Sequence, residues 1–450
     1  MVDILIRNGR NRMTVPLRFE LEWMPPFEED SAEGLTFSAL KLCLGDCTIT
    51  EVEDLLAQTL RDEIFVSAYP LARFLAENWW RLRWEPATAR LDAAWRLRHC
   101  LAAVGDGYSW PNLEFASDGE TIHAWMSASS ASDVAQIRYV ASMAEWIAAS
   151  EFERSVDELL DAVTARLDAL GHYNSDLSSL LDELRTERRD PEMTRWRRLE
   201  ALAGYDPDEA PEAFIRNLLG EMDSIGWASL QELAASSRNQ AVQDLAILRD
   251  ALNQRGTRFG IAELDHLRSA AAVNVTEVAR PPWFRAVEAA QRARQHLGLN
   301  GEVVSSRRLA EVFDIPEDLL ETGEPSHAPF SASFHSEDED QNQLVINRRL
   351  GTSRRFAVCR LLGDRLYATD EEDRLSAATE IGTARQKYQR AFAQELLCPF
   401  EALRDVLGSD SPSDDDLDNA AQHFQVSPLL IRTTLVNRNM LPRDILDSIY

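Results

Sequence analysis

The sequence predicts a multidomain α+β protein, and three observations carry this prediction. The chain has 450 residues, which is enough for two or three domains. Hydrophobic residues make up 45% of it, enough to build packed cores. Strand-like alternation and helical spacing occupy separate stretches. They indicate a mixed α/β domain over 1–150, a helical middle domain over 151–280 and an α+β domain over 281–450.

Strand patterns dominate the N-terminal domain. Strict alternation of apolar and polar residues over 17–23 is the mark of a half-buried strand. Shorter apolar runs predict further strands, over 2–6, 35–44 and 63–66. Asp118-Gly119 lies between two alternating runs and predicts a tight hairpin. Thr50 and Glu53 have the spacing of a capping box, which predicts a helix continuing to residue 60.

An apolar stripe over 71–82 predicts a helix that carries the tripeptide Asn78-Trp79-Trp80. Two adjacent tryptophans on a helix cannot face the same way, so one should meet the core and the other a different surface. That surface is either a domain interface or a pocket for a ligand or partner. Asn78, Trp79 and Trp80 are therefore the candidate partner pocket.

Helical spacing governs the middle domain. Apolar residues from Val156 to Leu170 predict one long helix that ends at Gly171. Further helices are predicted to begin near 176, 192, 211, 228 and 239. All eleven tryptophans lie at or before Trp283, and this shift in composition supports a domain boundary near residue 280.

The net charge and the cysteine count limit the kinds of function that the sequence supports. A net charge of −28 opposes non-specific nucleic-acid binding, which needs clustered lysine and arginine. The segment 424–437 has the outline of a helix-turn-helix, but only Arg432 and Arg438 are basic there. Five cysteines form no disulfide framework, and reduced cytosolic thiols are the simpler interpretation. No apolar run approaches the roughly 18 residues that span a bilayer. We expect a soluble, cytoplasmic protein without membrane contact.

Two amphipathic helices organise the C-terminal domain. The first begins RRFAVCRLLGDRLY at Arg354, and the second, RAFAQELLCP, ends at Pro399, where helices usually stop. Their sequences resemble those of the ImmA/IrrE family of zinc-dependent endopeptidases, whose corresponding helices have the sequences RRFTLAHELGH and ANxFAAELLMP. The matching residues are Arg355, Phe356, Leu362, Gly363, Phe392, Ala393, Glu395, Leu396, Leu397 and Pro399. The resemblance extends over 281–450 and implies a zincin-like α+β fold there.

The family's chemistry does not carry over to this sequence. In HExxH two histidines one turn apart bind zinc, and the glutamate activates a water. The five positions here read Arg360-Leu361-Leu362-Gly363-Asp364, without a histidine or a general base. Near the place of the family's third ligand stand Gln386, Tyr388 and Gln389. The resemblance thus marks Arg360, Leu361, Asp364 and Tyr388 as degenerate-site positions, and we expect no catalytic residues, metal or other cofactor.

Three hypotheses about these positions follow. Arg360 and Asp364 are one helical turn apart, so an ion pair between them could replace the metal. Cys359 beside Arg360 has either a lowered thiol pKa or a core-facing, inert thiol. His327 and His335 could share a site with Cys359 or Asp364, the alternative being exposed loop histidines.

The resemblance implies a catalytically inactive, peptidase-like protein that acts by protein–protein recognition. Its role would be that of a regulator, sensor or complex subunit, in phage defence or transcriptional control. The alternative is a divergent metallo-endopeptidase with replaced metal ligands that cleaves a regulatory protein.

Overall fold

The chain folds into two compact units, one formed by the described residues up to Pro211 and the other by those from Glu212 onward. The predicted middle domain, 151–280, is shared between them. Each unit mixes helices with small antiparallel sheets, which confirms the predicted α+β class. The computed structural model describes residues 14–28, 30–88, 91–130, 136–173, 175–260, 266–267, 280–299, 301–335, 342–367, 373–409, 412–442 and 444–447.

Three antiparallel sheets form the β layer of the first unit. Their strand orders are β1-β2-β3 with β6 also on β2, β5-β4-β9, and β10-β8-β7. The strands are β1 (Leu17–Trp23), β2 (Phe37–Leu44), β3 (Cys47–Thr48), β4 (Val52–Asp54), β5 (Thr59–Arg61), β6 (Ile64–Ser67), β7 (Glu114–Ser117), β8 (Thr121–Met126), β9 (Ile137–Tyr139) and β10 (Met143–Ala148).

The helices of the first unit are α1 (Ala32–Leu35), α2 (Ala68–Glu77), α3 (Trp79–Trp84), α4 (Ala93–His99), α5 (Ala149–Ala169), α6 (Asp176–Arg189) and α7 (Pro191–Ala203). Helices α1 to α5 pack against these sheets, and α6 and α7 pack on other helices. The apolar stripe of α5 is buried against β1, β8 and β10. Ser155 on that helix donates a hydrogen bond to the carbonyl of Leu17, at 2.7 Å, and so fixes α5 on the edge of the sheet.

Several predictions for this unit are confirmed, and one is wrong. The strand over 17–23 and the hairpin around Asp118-Gly119 are present. The predicted strand over 2–6 lies outside the described residues. The helix predicted from Thr50 to residue 60 is instead the hairpin β4–β5. The Thr50 hydroxyl caps no helix there, because it accepts from the amide of Leu42 and donates to the carbonyl of Asp62, at 3.0 and 2.9 Å.

The second unit surrounds one four-stranded antiparallel sheet. The order is β11-β13-β12-β14, which makes β14 an edge strand. The strands are β11 (Thr257–Arg258), β12 (Ser331–Phe334), β13 (Gln343–Val345) and β14 (Leu375–Ala378). The helices are α8 (Glu212–Gly220), α9 (Met222–Ile225), α10 (Trp227–Ser237), α11 (Ala241–Arg255), α12 (Pro282–His296), α13 (Ser306–Phe313), α14 (Gly351–Tyr367), α15 (Ala384–Leu397), α16 (Phe400–Leu407), α17 (Asp414–Phe424), α18 (Pro428–Asn437) and α19 (Asp444–Asp447).

Helices α14 and α15 lie side by side at the centre of the second unit. Helix α14 also packs on β12 and β14, and α12 covers the other side of α15. The two predicted amphipathic helices are confirmed as α14 and α15, and α12, α13, β12 and β13 also lie in the region 281–450 over which the resemblance extends. Strand β14 was not predicted. In the described part of the chain, no helix is long and apolar enough to cross a membrane.

Candidate functional site

The candidate site is the contact between α14 and α15, where the resemblance places a zinc centre. The two helices approach closely because Gly363 has no side chain. A Cβ atom built on Gly363 would lie 2.9 to 3.0 Å from three side-chain atoms of Phe392, which is fully buried. On α14, Arg360 and Asp364 lie on either side of this glycine, and both side chains reach residues of α15.

Arg360 occupies the position of the family's first histidine, and its guanidinium is buried. It donates to the carbonyl of Thr379 and to Oε1 of Gln386, the latter at 2.6 Å. Burial, together with the nearby Arg390 and Arg348, lowers the pKa of Arg360 to about 9. A guanidinium has only hydrogen-bond donors and no lone pair for a metal, so Arg360 cannot serve as a metal ligand at this position.

Asp364 occupies the position of the second histidine, and its partner is Arg385 on α15. The Asp364 carboxylate accepts from Nε and Nη2 of Arg385 at 2.6 and 2.7 Å, in a bidentate geometry. It also accepts from Nε2 of Gln389 at 2.7 Å. The predicted ion pair between Arg360 and Asp364 is therefore wrong. The planar fork of Arg385 faces both carboxylate oxygens from the opposite helix.

Two glutamines of α15 complete the contact. The side-chain amide of Gln386 makes four hydrogen bonds: Oε1 accepts from Arg360 and the amide of Thr379, and Nε2 donates to Glu232 and the carbonyl of Ala377. Gln389 joins Asp364 to the same Ala377 carbonyl. All four hydrogen bonds of the Gln386 amide and both Nε2 donors of Gln389 are used inside the protein. Among the described residues, buried Oε1 of Gln389 has no hydrogen-bond partner.

The remaining two degenerate-site positions play apolar roles. Leu361 is buried and has no proton to exchange. Tyr388 points to another part of the core, where its ring lies 5.0 Å from that of Tyr367 and 6.4 Å from that of Phe392. Burial raises the pKa of the Tyr388 hydroxyl. The structure thus brings Arg360 and Asp364 into one polar cluster and leaves Leu361 and Tyr388 outside it.

Helix α10 supplies two contacts that sequence reasoning missed. Oε2 of Glu232 accepts from the hydroxyl of Thr383 at 2.9 Å and from Gln386 at 3.0 Å. The amide and hydroxyl of Ser229 donate to Oδ1 of Asp373, at 3.1 and 3.3 Å. Glu232 lies more than 100 residues before α14 in the sequence and belongs to no recognisable motif, so only the fold brings it here.

We call this cluster the polar lock: Glu232, Arg360, Asp364, Asp373, Arg385, Gln386 and Gln389. Every member is nearly or completely buried. Burial raises the pKa of Glu232, and the negative charge of Asp364 adds to the effect. Burial alone would lower the pKa of Arg385, but Asp364, Asp373 and Glu232 raise it above its ordinary value. Arg385 is therefore the fixed cation that compensates the buried carboxylates.

Neighbouring titratable groups have no catalytic geometry. Burial lowers the pKa of His335 to about 3, so its imidazole is neutral; it lies beside Ser333 and against the ring of Phe259. His335 is thus not the exposed loop histidine of the alternative interpretation. Burial raises the pKa of Cys359 to about 12, which corrects the hypothesis of an activated thiol. Among the described residues, no group of three His, Cys, Asp or Glu side chains could hold a metal ion.

The candidate partner pocket is closed. Asn78, Trp79 and Trp80 are 5%, 4% and 3% exposed, which corrects the expectation that one tryptophan faces away from the core. The helix breaks at Asn78, between α2 and α3, so that both indoles turn inward. The indole N–H of Trp80 donates to Glu187 at 2.8 Å, and the guanidinium of Arg188 lies 4.4 Å from the ring centroid of Trp79.

The residues at the site do not fit a zinc ion. A cation would meet the guanidiniums of Arg360 and Arg385, and the carboxylate of Asp364 is already occupied by Arg385 and Gln389. What the arrangement can do is join α10, α14, α15 and β14 through charge-assisted hydrogen bonds. No family model matches the sequence, and neither a curated protein nor a solved structure matches it. The ImmA/IrrE resemblance therefore remains a hypothesis that rests on the residues of α14 and α15.

Proposed function

We propose that this protein is a peptidase-like protein without catalytic activity that acts by recognising a protein partner. The polar lock is the observation that carries the proposal. Arg360, Leu361 and Asp364 stand at the positions of the family's two zinc ligands and general base, and all three are buried. Arg360 and Leu361 cannot act as a general base, and the carboxylate of Asp364 is buried and held by Arg385 and Gln389, away from any substrate.

The chemistry of the lock supports a structural role for the former catalytic helix. In a zinc peptidase the metal joins the two helices, and its loss has to be offset by other bonds. Here the bidentate pair of Arg385 with Asp364 and the four bonds of Gln386 supply that connection. A domain stabilised in this way keeps its surface for recognition while its interior no longer supports hydrolysis.

The proposed setting is the cytoplasm, with the protein as a regulator, sensor or complex subunit. All five cysteines are free thiols, which is typical of a reducing compartment. The resemblance suggests phage defence or transcriptional control as the process. The partner is then another protein of that system rather than a nucleic acid, because the net charge is −28.

Metal content and proteolysis test the proposal together. Protein purified in the presence of zinc should contain far less than one zinc per chain by elemental analysis. It should not cleave proteins that co-purify with it from its native host. A triple variant, Arg360→His, Leu361→Glu and Asp364→His, should also lack proteolytic activity, because the third ligand is missing. Stoichiometric zinc with cleavage of a co-purifying protein would establish the divergent metallo-endopeptidase instead.

A further inference from the structure

A hairpin of the first unit presents leucines to solvent. It comprises β4, the turn 55–58 and β5, and we call it the leucine hairpin. One carboxylate holds its turn: Oδ1 of Asp54 accepts from the amides of Leu56 and Ala57, at 3.1 and 3.0 Å. Oδ2 accepts from the guanidinium of Arg61 at 2.9 Å. The turn is thus ordered, although it buries almost none of its side chains.

Three exposed leucines belong to this one hairpin. Leu56 and Leu60 are 73% and 63% exposed, and Leu55 beside them is also exposed. Arg61 points to the opposite face of β5 from Leu60, so its contact with the partly exposed ring of Phe65, 4.9 Å from guanidinium to centroid, lies outside this group. Single exposed leucines are common, but a cluster of apolar side chains on an ordered hairpin is typical of an interaction site.

The leucine hairpin also ends a sheet. Strand β5 pairs with β4 alone among the described strands, so its outer edge is available to another chain. The opposite edge of the same sheet is occupied, because Ser129 bonds the backbone of Tyr139 on β9 from both its amide and its hydroxyl. Unpaired strand edges are a common place for a partner segment to add by backbone hydrogen bonds.

Charge limits which partner fits. Residues 51–63 contain five carboxylates, Glu51, Glu53, Asp54, Asp62 and Glu63, and a single arginine. Lys41 is paired with Asp62 and Arg61 with Asp54, and Arg138 lies opposite Glu53 on β9, which leaves the five carboxylates with a net negative charge. An anionic membrane, a nucleic acid or a second copy of this chain, itself at −28, would be repelled by this rim. A cationic surface would be attracted to it.

We propose that the leucine hairpin is the docking site for a basic segment of a partner protein. Apolar side chains of that segment contact Leu56 and Leu60, while its lysines or arginines contact the surrounding carboxylates. The proposal rests on the proposed function, protein–protein recognition, and adds the surface and the class of partner.

A synthetic peptide of alternating leucine and lysine tests this chemistry with the full chain. Fluorescence anisotropy should show that it binds more tightly than a serine–lysine peptide of equal charge or a leucine–glutamate peptide. The double variant Leu56→Ser, Leu60→Ser should weaken binding at least about tenfold, since loss of even one buried leucine has that order of effect. Glu53→Gln should weaken it less, and more at low than at high salt.

Leu350→Ser is the matched control, because Leu350 is 58% exposed and belongs to the second unit. It should bind the leucine–lysine peptide like wild type. Equal binding by the double variant, or equal binding of the leucine–lysine and serine–lysine peptides by wild type, would overturn the proposal. Sedimentation with phosphatidylserine vesicles that depends on Leu56 would overturn it too, by assigning the surface to a membrane.

Photo-crosslinking in the native host separates this proposal from the proposed function. A photoreactive residue at position 56 should give an adduct with a basic protein, and the same residue at position 350 should not. If the wild-type protein retains a specific partner that the double variant retains equally, the hairpin is not the docking site while the recognition function stands. If wild type has no specific protein partner, the proposed function itself is wrong.

Discussion

At the scale of single residues, the pair of Asp364 with Arg385 should be the most costly contact to break. Both side chains are buried and joined by two hydrogen bonds. Asp364→Ala or Arg385→Ala leaves one buried charge without its partner, which should cost about 3–5 kcal/mol of unfolding free energy. Urea denaturation of both single variants and of the double variant measures this cost. The double variant should lose clearly less than the sum of the singles.

Two further variants show whether this coupling is specific. Arg360 and Asp364 are linked only through Gln386, Gln389 and the carbonyl of Ala377, so a cycle that combines Arg360→Ala with Asp364→Ala should show a clearly smaller coupling than the cycle of Asp364 with Arg385. Arg404→Ala removes an exposed ion pair with Glu401 and should cost at most about 1 kcal/mol. If Asp364 couples to Arg360 as strongly as to Arg385, the hydrogen bonds described here are not those that stabilise the protein.

The sequence indicated which residues the resemblance aligns with zinc ligands, but not what they contact. Arg360 and Asp364 stand out because they interrupt a recognisable pattern. Arg385 follows no pattern, and its role depends on the register between α14 and α15. Periodicity within one helix says which residues share a face, but not which residue of another helix lies opposite. The contacts of Glu232 with α15 could not be predicted from the sequence for the same reason.

At the scale of elements, the close contact of α14 with α15 should depend on Gly363. In Gly363→Ala the new methyl group would lie 3.0 Å from Cβ of Phe392, an atom fixed to the backbone of α15. The helices must then move apart, at a cost of about 1–3 kcal/mol, against a gain of up to about 1 kcal/mol in helix propensity. We expect a net loss of roughly 1–2 kcal/mol in urea denaturation.

Gly220→Ala is the control for this variant. Gly220 ends α8, and a Cβ atom there would have no other atom within 4 Å. Its replacement should therefore leave stability unchanged or raise it slightly. A Gly363→Ala protein as stable as wild type would mean that α14 and α15 have room between them, and that the polar lock is not held by close packing.

Elements were predictable where one segment contained its own signal. The strand over 17–23 could be predicted from its own alternation of apolar and polar residues, and the hairpin at Asp118-Gly119 from its turn residues. The prediction for 50–60 was wrong because Thr50 and Glu53 have the spacing of a capping box. The Thr50 hydroxyl instead bonds the amide of Leu42 and the carbonyl of Asp62. Strand β14 is short and was missed, since its alternation is too brief to separate it from a loop.

At the scale of the whole molecule, two separate cores replace the three domains that composition suggested. One core contains residues from Leu17 to Ala201 and the other residues from Phe259 to Leu435. The shift in tryptophan content near residue 280 is real in the sequence, yet the division of the contacts falls at 211/212. Composition records which residues a segment uses, while a compact unit is defined by contacts that join distant segments.

The net charge of −28 leads to a prediction for the intact protein. Duplex DNA should bind it no more tightly than the non-specific range of about 10⁻⁴ to 10⁻⁶ M at physiological salt.

The helices α17 and α18 do not change this expectation, because Arg432 is paired with Asp414 and Arg438 lies over the ring of Phe400. Electrophoretic mobility shift with protein alone measures the affinity. Arg432 also lies 3.9 Å from Asp418, so both Asp414→Ala and Asp418→Ala are needed to release it, and the double variant should tighten binding only slightly, since one phosphate contact adds little. A nanomolar complex with the wild-type protein would show that local structure overrides the net charge, and it would make nucleic acid a partner after all.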